Sequence, residues 1–130
     1  MPMIDGVVFE DIPEGHEDHR RKLYAPFNGD VRGFSGAAQV KVAEVKQGEH
    51  IVLGRHYHLY GELFFVLRGQ VTFKLTALGG DETNEFVLVP GKRLLVPLGV
   101  MHEGRAQADT ILIGLTEERY VSPEHNDRKP

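Results

Sequence analysis

The chain contains no cysteine, which removes disulfides, zinc–thiolate centres and thiol nucleophiles together. That absence also fits a reducing compartment. A surplus of positive charge is missing too: Lys+Arg number 15 against 19 Asp+Glu, for a net charge of −4 with histidine neutral. Such a balance leaves no basic footprint of the kind that nucleic acid or an anionic membrane surface needs. No apolar stretch approaches the length required to span a bilayer. The opening Met1-Pro2-Met3-Ile4-Asp5-Gly6 has neither the basic region nor the apolar run of a signal peptide. The expectation is a soluble cytoplasmic protein without nucleic-acid or membrane partners. Internal repeats, linkers and low-complexity tracts are absent, and no segment sustains a helical period.

What the chain does have is strands. Its 130 residues suit a single domain with one core. From about Ala38 onward, short β-type runs alternate with glycine and proline breaks. Val40-Lys41-Val42, Ile51-Val52-Leu53, Leu63 to Leu67, Val71 to Leu75, Phe86 to Val89, Leu94-Leu95-Val96 and Ile111 to Leu115 all read this way. Breaks at intervals of roughly 8–12 residues favour an all-β sandwich or barrel. The alternation predicts that Val71, Phe73 and Leu75, and likewise Ile111 and Ile113, bury one face between two sheets. The predicted organisation is an N-terminal arm and irregular segment over 1–37, a barrel core over 38–117 and a tail over 118–130. Leu23, Tyr24 and Phe27 are expected to pack the irregular segment, and Ser122–Pro130 to be loosely ordered.

The chemistry gathers on four residues: His56, His58, Glu62 and His102. In an extended strand, side chains at i and i+2 share a face, so His56-Tyr57-His58 aims two imidazoles into one space. Gly61 lets the chain bend so that the Glu62 carboxylate returns to them. The turn Pro97-Leu98-Gly99 delivers His102 at the start of a new strand. Imidazole nitrogen and carboxylate oxygen are donors that divalent transition metals accept. One divalent ion is therefore expected on His56, His58, Glu62 and His102. Zinc, iron, manganese, nickel and copper all fit the donor set. His16, His19, His50 and His125 lack such a context and read as solvated surface histidines. Arg20-Arg21-Lys22 reads as a solvated face. Tyr57 and Tyr60 flank the site as core residues, substrate contacts or proton donors.

The stretch His56-Tyr57-His58-Leu59-Tyr60-Gly61-Glu62, followed by Gly69, resembles the first cupin motif. Gly91, Pro97, Gly99 and His102 resemble the second. Two positions depart from the pattern: His50 stands where the first motif has glycine, with Gly48 close by, and Ala106 where the second has asparagine. Neither position is a metal ligand in the family. The resemblance implies an all-β, cupin-type antiparallel β-barrel or double-stranded jelly roll as a single domain. It also implies a homodimer paired through edge strands and the N-terminal arm. Asp30-Val31-Arg32-Gly33-Phe34, Gly54-Arg55-His56-Tyr57-His58 and Glu118 to Glu124 further resemble segments of cupins that process nucleotide sugars, including keto-sugar isomerases and epimerases and capsular-sugar enzymes.

Three classes of function follow. The favoured one is an enzyme that isomerises or epimerises a sugar-like or hydroxy-carbonyl small molecule by metal-assisted proton transfer. His58, Glu62 and Tyr60 are its candidate catalytic groups. The alternatives are a metal-dependent iron dioxygenase, and a non-enzymatic cupin that binds a small ligand. Arg55, Phe64, Phe73 and Met101 are the candidate substrate contacts. Arg55 can reach the site only if the strand bends at Gly54, because strand parity turns it away from the two histidines.

Overall fold

The short strands close on one another as two facing antiparallel sheets, a jelly roll with a single four-residue helix among the described residues. A computed structural model describes residues 3–46 and 50–129, the side chains of 50–55 excepted. The elements are β1 (Val8–Asp11), β2 (His16–Glu17), β3 (Lys22–Leu23), β4 (Gln39–Glu44), β5 (His50–His56), β6 (Glu62–Arg68), β7 (Val71–Ala77), β8 (Thr83–Leu88), β9 (Lys92–Val96), β10 (Val100–Ala106), β11 (Ile111–Thr116) and α1 (Pro123–Asn126). One sheet runs β1-β9-β6-β11-β4 and the other β5-β10-β7-β8, while β2 and β3 form a separate hairpin. No helix among the described residues is long and apolar enough to cross a membrane.

The space between the sheets is the main core. Val71, Phe73 and Leu75 point into it from β7, as their alternation predicts, and meet Phe64, Val66, Leu94, Val96 and Leu112 from the opposite sheet. The Phe64 and Phe73 rings pack at 4.8 Å between centroids. Truncating an aromatic in so closed a core costs about 3–5 kcal/mol.

A second apolar cluster lies on the outer face of the β1-containing sheet. It joins Leu63, Phe65, Leu95, Ile113 and Leu115 to Ile12, Val31 and Phe34 of the N-terminal segment. Two expectations change here. Ile113 is buried, but against this outer cover; Leu112 is its counterpart between the sheets. Both faces of β11 are apolar because both are covered, so alternation alone could not tell which face was inner. The segment before Ala38 is also more than an arm. Val8–Asp11 pairs with Lys92–Leu95 as an edge strand, and Val31, Phe34 and Phe27 pack the cover. Leu23 (47% exposed) and Tyr24 do not pack it, because the β2–β3 hairpin that carries Leu23 presents exposed residues on both strands.

Arg93 fastens the cover to the barrel. It sits on β9 directly across from Glu10 on β1. Its Nε and Nη2 donate to Glu10 Oε2, and Nη1 donates to Asp30 Oδ1 and to the Pro26 carbonyl, both at 3.1 Å. The guanidinium beside Asp30 holds that carboxyl below the usual carboxylate range.

Candidate functional site

Register brings the histidines together. β5 and β10 pair so that His56 lies across from His102. Beyond the end of β5, Tyr57 continues in extended pairing with Arg128, exchanging backbone hydrogen bonds of 3.0 and 2.8 Å. His58 therefore returns to the face of His56. Gly99, at φ +76°, makes the turn ahead of β10, and its N–H donates to the His58 carbonyl at 2.8 Å. That bond ties the two histidine-bearing segments to each other. The imidazoles of His56, His58 and His102 each place a ring nitrogen within 4.8 Å of the others.

Glu62 opens β6 beside them and is 1% exposed. Its Oε1 lies 3.5 Å from His58 Nε2, and its Oε2 lies 3.0 Å from Lys41 Nζ on the edge strand β4. Burial pushes the carboxyl pKa up, but His58 and Lys41 outweigh it and leave the group below its usual range. Glu62 falls outside the group of three mutually close imidazoles because its carboxylate extends toward β4.

The tail is where expectation and structure part most clearly. Residues 122–128 are not loose: they close over the histidines. Ser122 caps α1 by accepting from the His125 N–H. The Asn126 side chain accepts from the N–H groups of Val121 and Ser122, and donates to the Arg119 carbonyl and Tyr60 Oη. The Asn126 backbone carbonyl accepts from His58 Nδ1 at 2.8 Å. Asp127 Oδ1 stands 3.6 Å from His58 Nδ1 and 3.8 Å from His56 Nε2, while Oδ2 accepts from Tyr120 Oη. The sequence carried a signal for this in Ser122-Pro123-Glu124, a helix-capping serine with proline at the first helical position. Asn126 and Asp127 carried none, because their role depends on where the tail lands.

The His58 bond to a carbonyl puts a proton on Nδ1, and Nε2 faces Glu62 Oε1 at 3.5 Å. Neither Nε2 nor Oε1 has a hydrogen bond. Both ring nitrogens of His102 are buried without a hydrogen-bond partner as well, as is Asp127 Oδ1. Burial holds the His102 pKa down, to about 3, so the ring stays neutral. Buried polar atoms are rarely left this way, and here they converge. A divalent ion fits such a set: the three imidazoles bring ring nitrogens to one small region, and one ring is held by a carbonyl in the manner of metal-binding histidines.

The other expected site residues divide. Phe64 lies at the floor, its ring 6.0 Å from that of His102. Phe73 lies behind Phe64 in the core. Met101 is buried, but strand alternation turns it to the face opposite His102, so it does not line the site. Tyr60 stacks on His58 at 4.7 Å and 9°. Burial pushes its phenol up to about 12, which makes it a support for the ring and a poor acid. Arg55 lies outside the described side chains.

No protein-family model matches the chain, and no curated protein matches it by sequence. Solved structures do match in fold. The TDP-quinovose 3,4-ketoisomerase of Campylobacter jejuni superposes with TM-score 0.82 at 16% identity, over 97% of this chain and 95% of that one. The dTDP-4-dehydrorhamnose 3,5-epimerase of Sulfolobus tokodaii gives 0.77 at 19%, over 97% and 78%. A 3,4-ketoisomerase of Helicobacter canadensis gives 0.77 at 15%, over 92% and 88%. The fold is the cupin jelly roll that these sugar ketoisomerases and epimerases share.

Proposed function

We propose that this protein is a cytoplasmic enzyme that moves a proton at the carbon beside a carbonyl of a sugar-like substrate. A nucleotide-linked keto-sugar is the candidate, and the divalent ion sits on His56, His58 and His102 next to Glu62. The observation that carries this reading is the convergence of unpartnered His58, His102 and Glu62 atoms at one buried point, on the fold of sugar ketoisomerases and epimerases. When bound, the ion supplies Lewis acidity toward the carbonyl and hydroxyl oxygens of the substrate.

The chain's own groups supply the rest. The Asn126 backbone carbonyl holds His58 through Nδ1 and leaves Nε2 facing the site, and Tyr60 fixes the plane of that ring. Asp127 Oδ1, beside His56 and His58 and without a hydrogen-bond partner, is the group that takes and returns the proton. Tyr120 donates to the other oxygen of that carboxylate and orients it. The tail and the Phe64 wall keep water away from the exchange.

Incubation with a TDP-linked 4-keto-6-deoxyhexose in deuterated water tests the reading. Solvent deuterium enters at the carbon beside the carbonyl, and His102→Ala and Asp127→Asn lose that exchange. Absence of exchange across a panel of keto-sugars, together with metal-dependent oxygen consumption, replaces this reading with an oxygenase. Ligand affinity without any turnover replaces it with a binding protein. The reading includes a homodimer through the edge strand β4, whose Val40 (60%) and Val42 (59%) face solvent. Light scattering at micromolar concentration gives twice the chain mass if so, and Val42→Lys gives the monomer.

A further inference from the structure

Lys41, about a third exposed, pairs with the carboxylate beside the histidine site, and the reading above gives it no role. Val40 and Val42 point out from β4, so Lys41 points in, over the Tyr120 ring at 5.3 Å. Its ammonium lies 3.0 Å from Glu62 Oε2. A cavity of about 170 Å³ opens here, bounded by Lys41, Glu62, Phe64, Leu112 and Gly114. The carboxylate reaches Lys41 across Gly114 on β11. A Cβ added at Gly114 would stand 2.7 Å from Glu62 Oε2, so the bare backbone leaves room for the carboxylate to extend that way. Glu62 therefore stands between two claimants: a fixed cation on one oxygen, and the ion site beside His58 on the other.

We infer that Lys41 is an internal counter-ion that neutralises Glu62 and thereby lowers the affinity of the histidine site for a divalent cation. The inference rests on the ion site proposed above. With Lys41 in place, its ammonium cancels the Glu62 charge and Asp127 is left as the carboxylate beside the histidines. Without it, the site carries the Glu62 charge as well, and the attraction of a partly buried site for a cation rises with that charge. Lys41 is a positioning residue: it touches Glu62, and no reacting atom.

Cobalt(II) titration of the metal-free protein, followed by calorimetry and by the visible absorption of the bound ion, tests this. Lys41→Gln keeps a hydrogen-bond donor for Oε2 and removes the charge. Lys41→Met removes both. Each variant tightens cobalt binding by about tenfold or more, the scale on which partners of a ligand shift metal affinity. The gain vanishes in the Lys41→Gln/Glu62→Gln double variant, and Lys41→Arg binds as wild type does. A merely structural role for Lys41 predicts weaker binding in every variant. Unchanged or weaker binding in folded Lys41→Gln therefore overturns the inference while leaving the ion site standing. If Lys41→Met does not fold, Lys41→Gln decides. Cobalt binding that is undiminished in His102→Ala, or absent from the wild type and both charge-removing variants, overturns the ion site and this inference with it.

Discussion

Arg93 and Glu62 are buried charges on neighbouring strands of one sheet, and they are treated in opposite ways. Arg93 is on the outer face of β9, and all three of its nitrogens donate, to Glu10, Asp30 and the Pro26 carbonyl. Glu62 is on the inner face of β6. Among the described residues its nearest charge partners are Lys41, 3.0 Å from Oε2, and His58, 3.5 Å from Oε1. A satisfied buried charge holds two segments together. An unsatisfied one keeps an interaction open for something that arrives later, at a cost to the fold. The first region serves stability and, on the proposed reading, the second serves binding, with the same sheet carrying both.

Substitutions separate the two regions most sharply at Arg93. Arg93→Ala costs about 2–3 kcal/mol in urea denaturation, below the range for fully buried pairs because Glu10 and Asp30 keep part of their surface in water. The loss appears with or without added metal. A change under about 0.5 kcal/mol, the size seen at ordinary surface positions, would erase the contrast.

His102→Leu has the opposite sign. The ion-free protein gains about 1 kcal/mol, because an apolar side chain replaces a neutral ring with two unpartnered nitrogens. The rise in Tm on adding zinc disappears in the same variant, since an ion bound only to the native state stabilises by mass action. Loss of stability in the ion-free variant would make His102 a structural residue like Arg93.

The smallest effect joins the regions. Glu117 accepts from the Ser35 N–H and hydroxyl on the cover, and from the Gly61 N–H beside the site. Burial pushes its carboxyl pKa up, but these bonds outweigh it and leave the group below its usual range. A carboxylate with a depressed folded pKa stabilises the fold above its unfolded pKa. That contribution is lost as pH falls through the folded value. Glu117→Gln therefore costs about 0.5–1 kcal/mol at neutral pH, and shows a shallower loss of stability on acidification. A parallel acid limb in the variant would show that the bonds do not depend on the charge.

The sequence was legible wherever the relevant distance along the chain was short. Val71, Phe73 and Leu75 announced their inner face by alternation, and the HxH spacing announced two imidazoles on one side of a strand. Val40-Lys41-Val42 reads correctly as a strand, but its alternation does not say which face is buried: β4 is an edge strand, where Val40 and Val42 face solvent and the lysine turns toward a buried carboxylate. Ile111 and Ile113 misled because the outer face was covered as well. Asn126 and Asp127 could not be read, since nothing near them in sequence says that the tail folds back across His58.

The sequence by itself determined the strand-and-turn grammar of an all-β chain and the close spacing of His56, His58 and Glu62, because backbone geometry sets which neighbours share a face. Tertiary structure alone decided that His102 lies opposite His56, that Lys41 meets Glu62, and that the Asn126 carbonyl holds His58 through Nδ1. Those contacts join residues far apart in the chain. They exist only after two sheets have closed on a common core and their register is set by that packing.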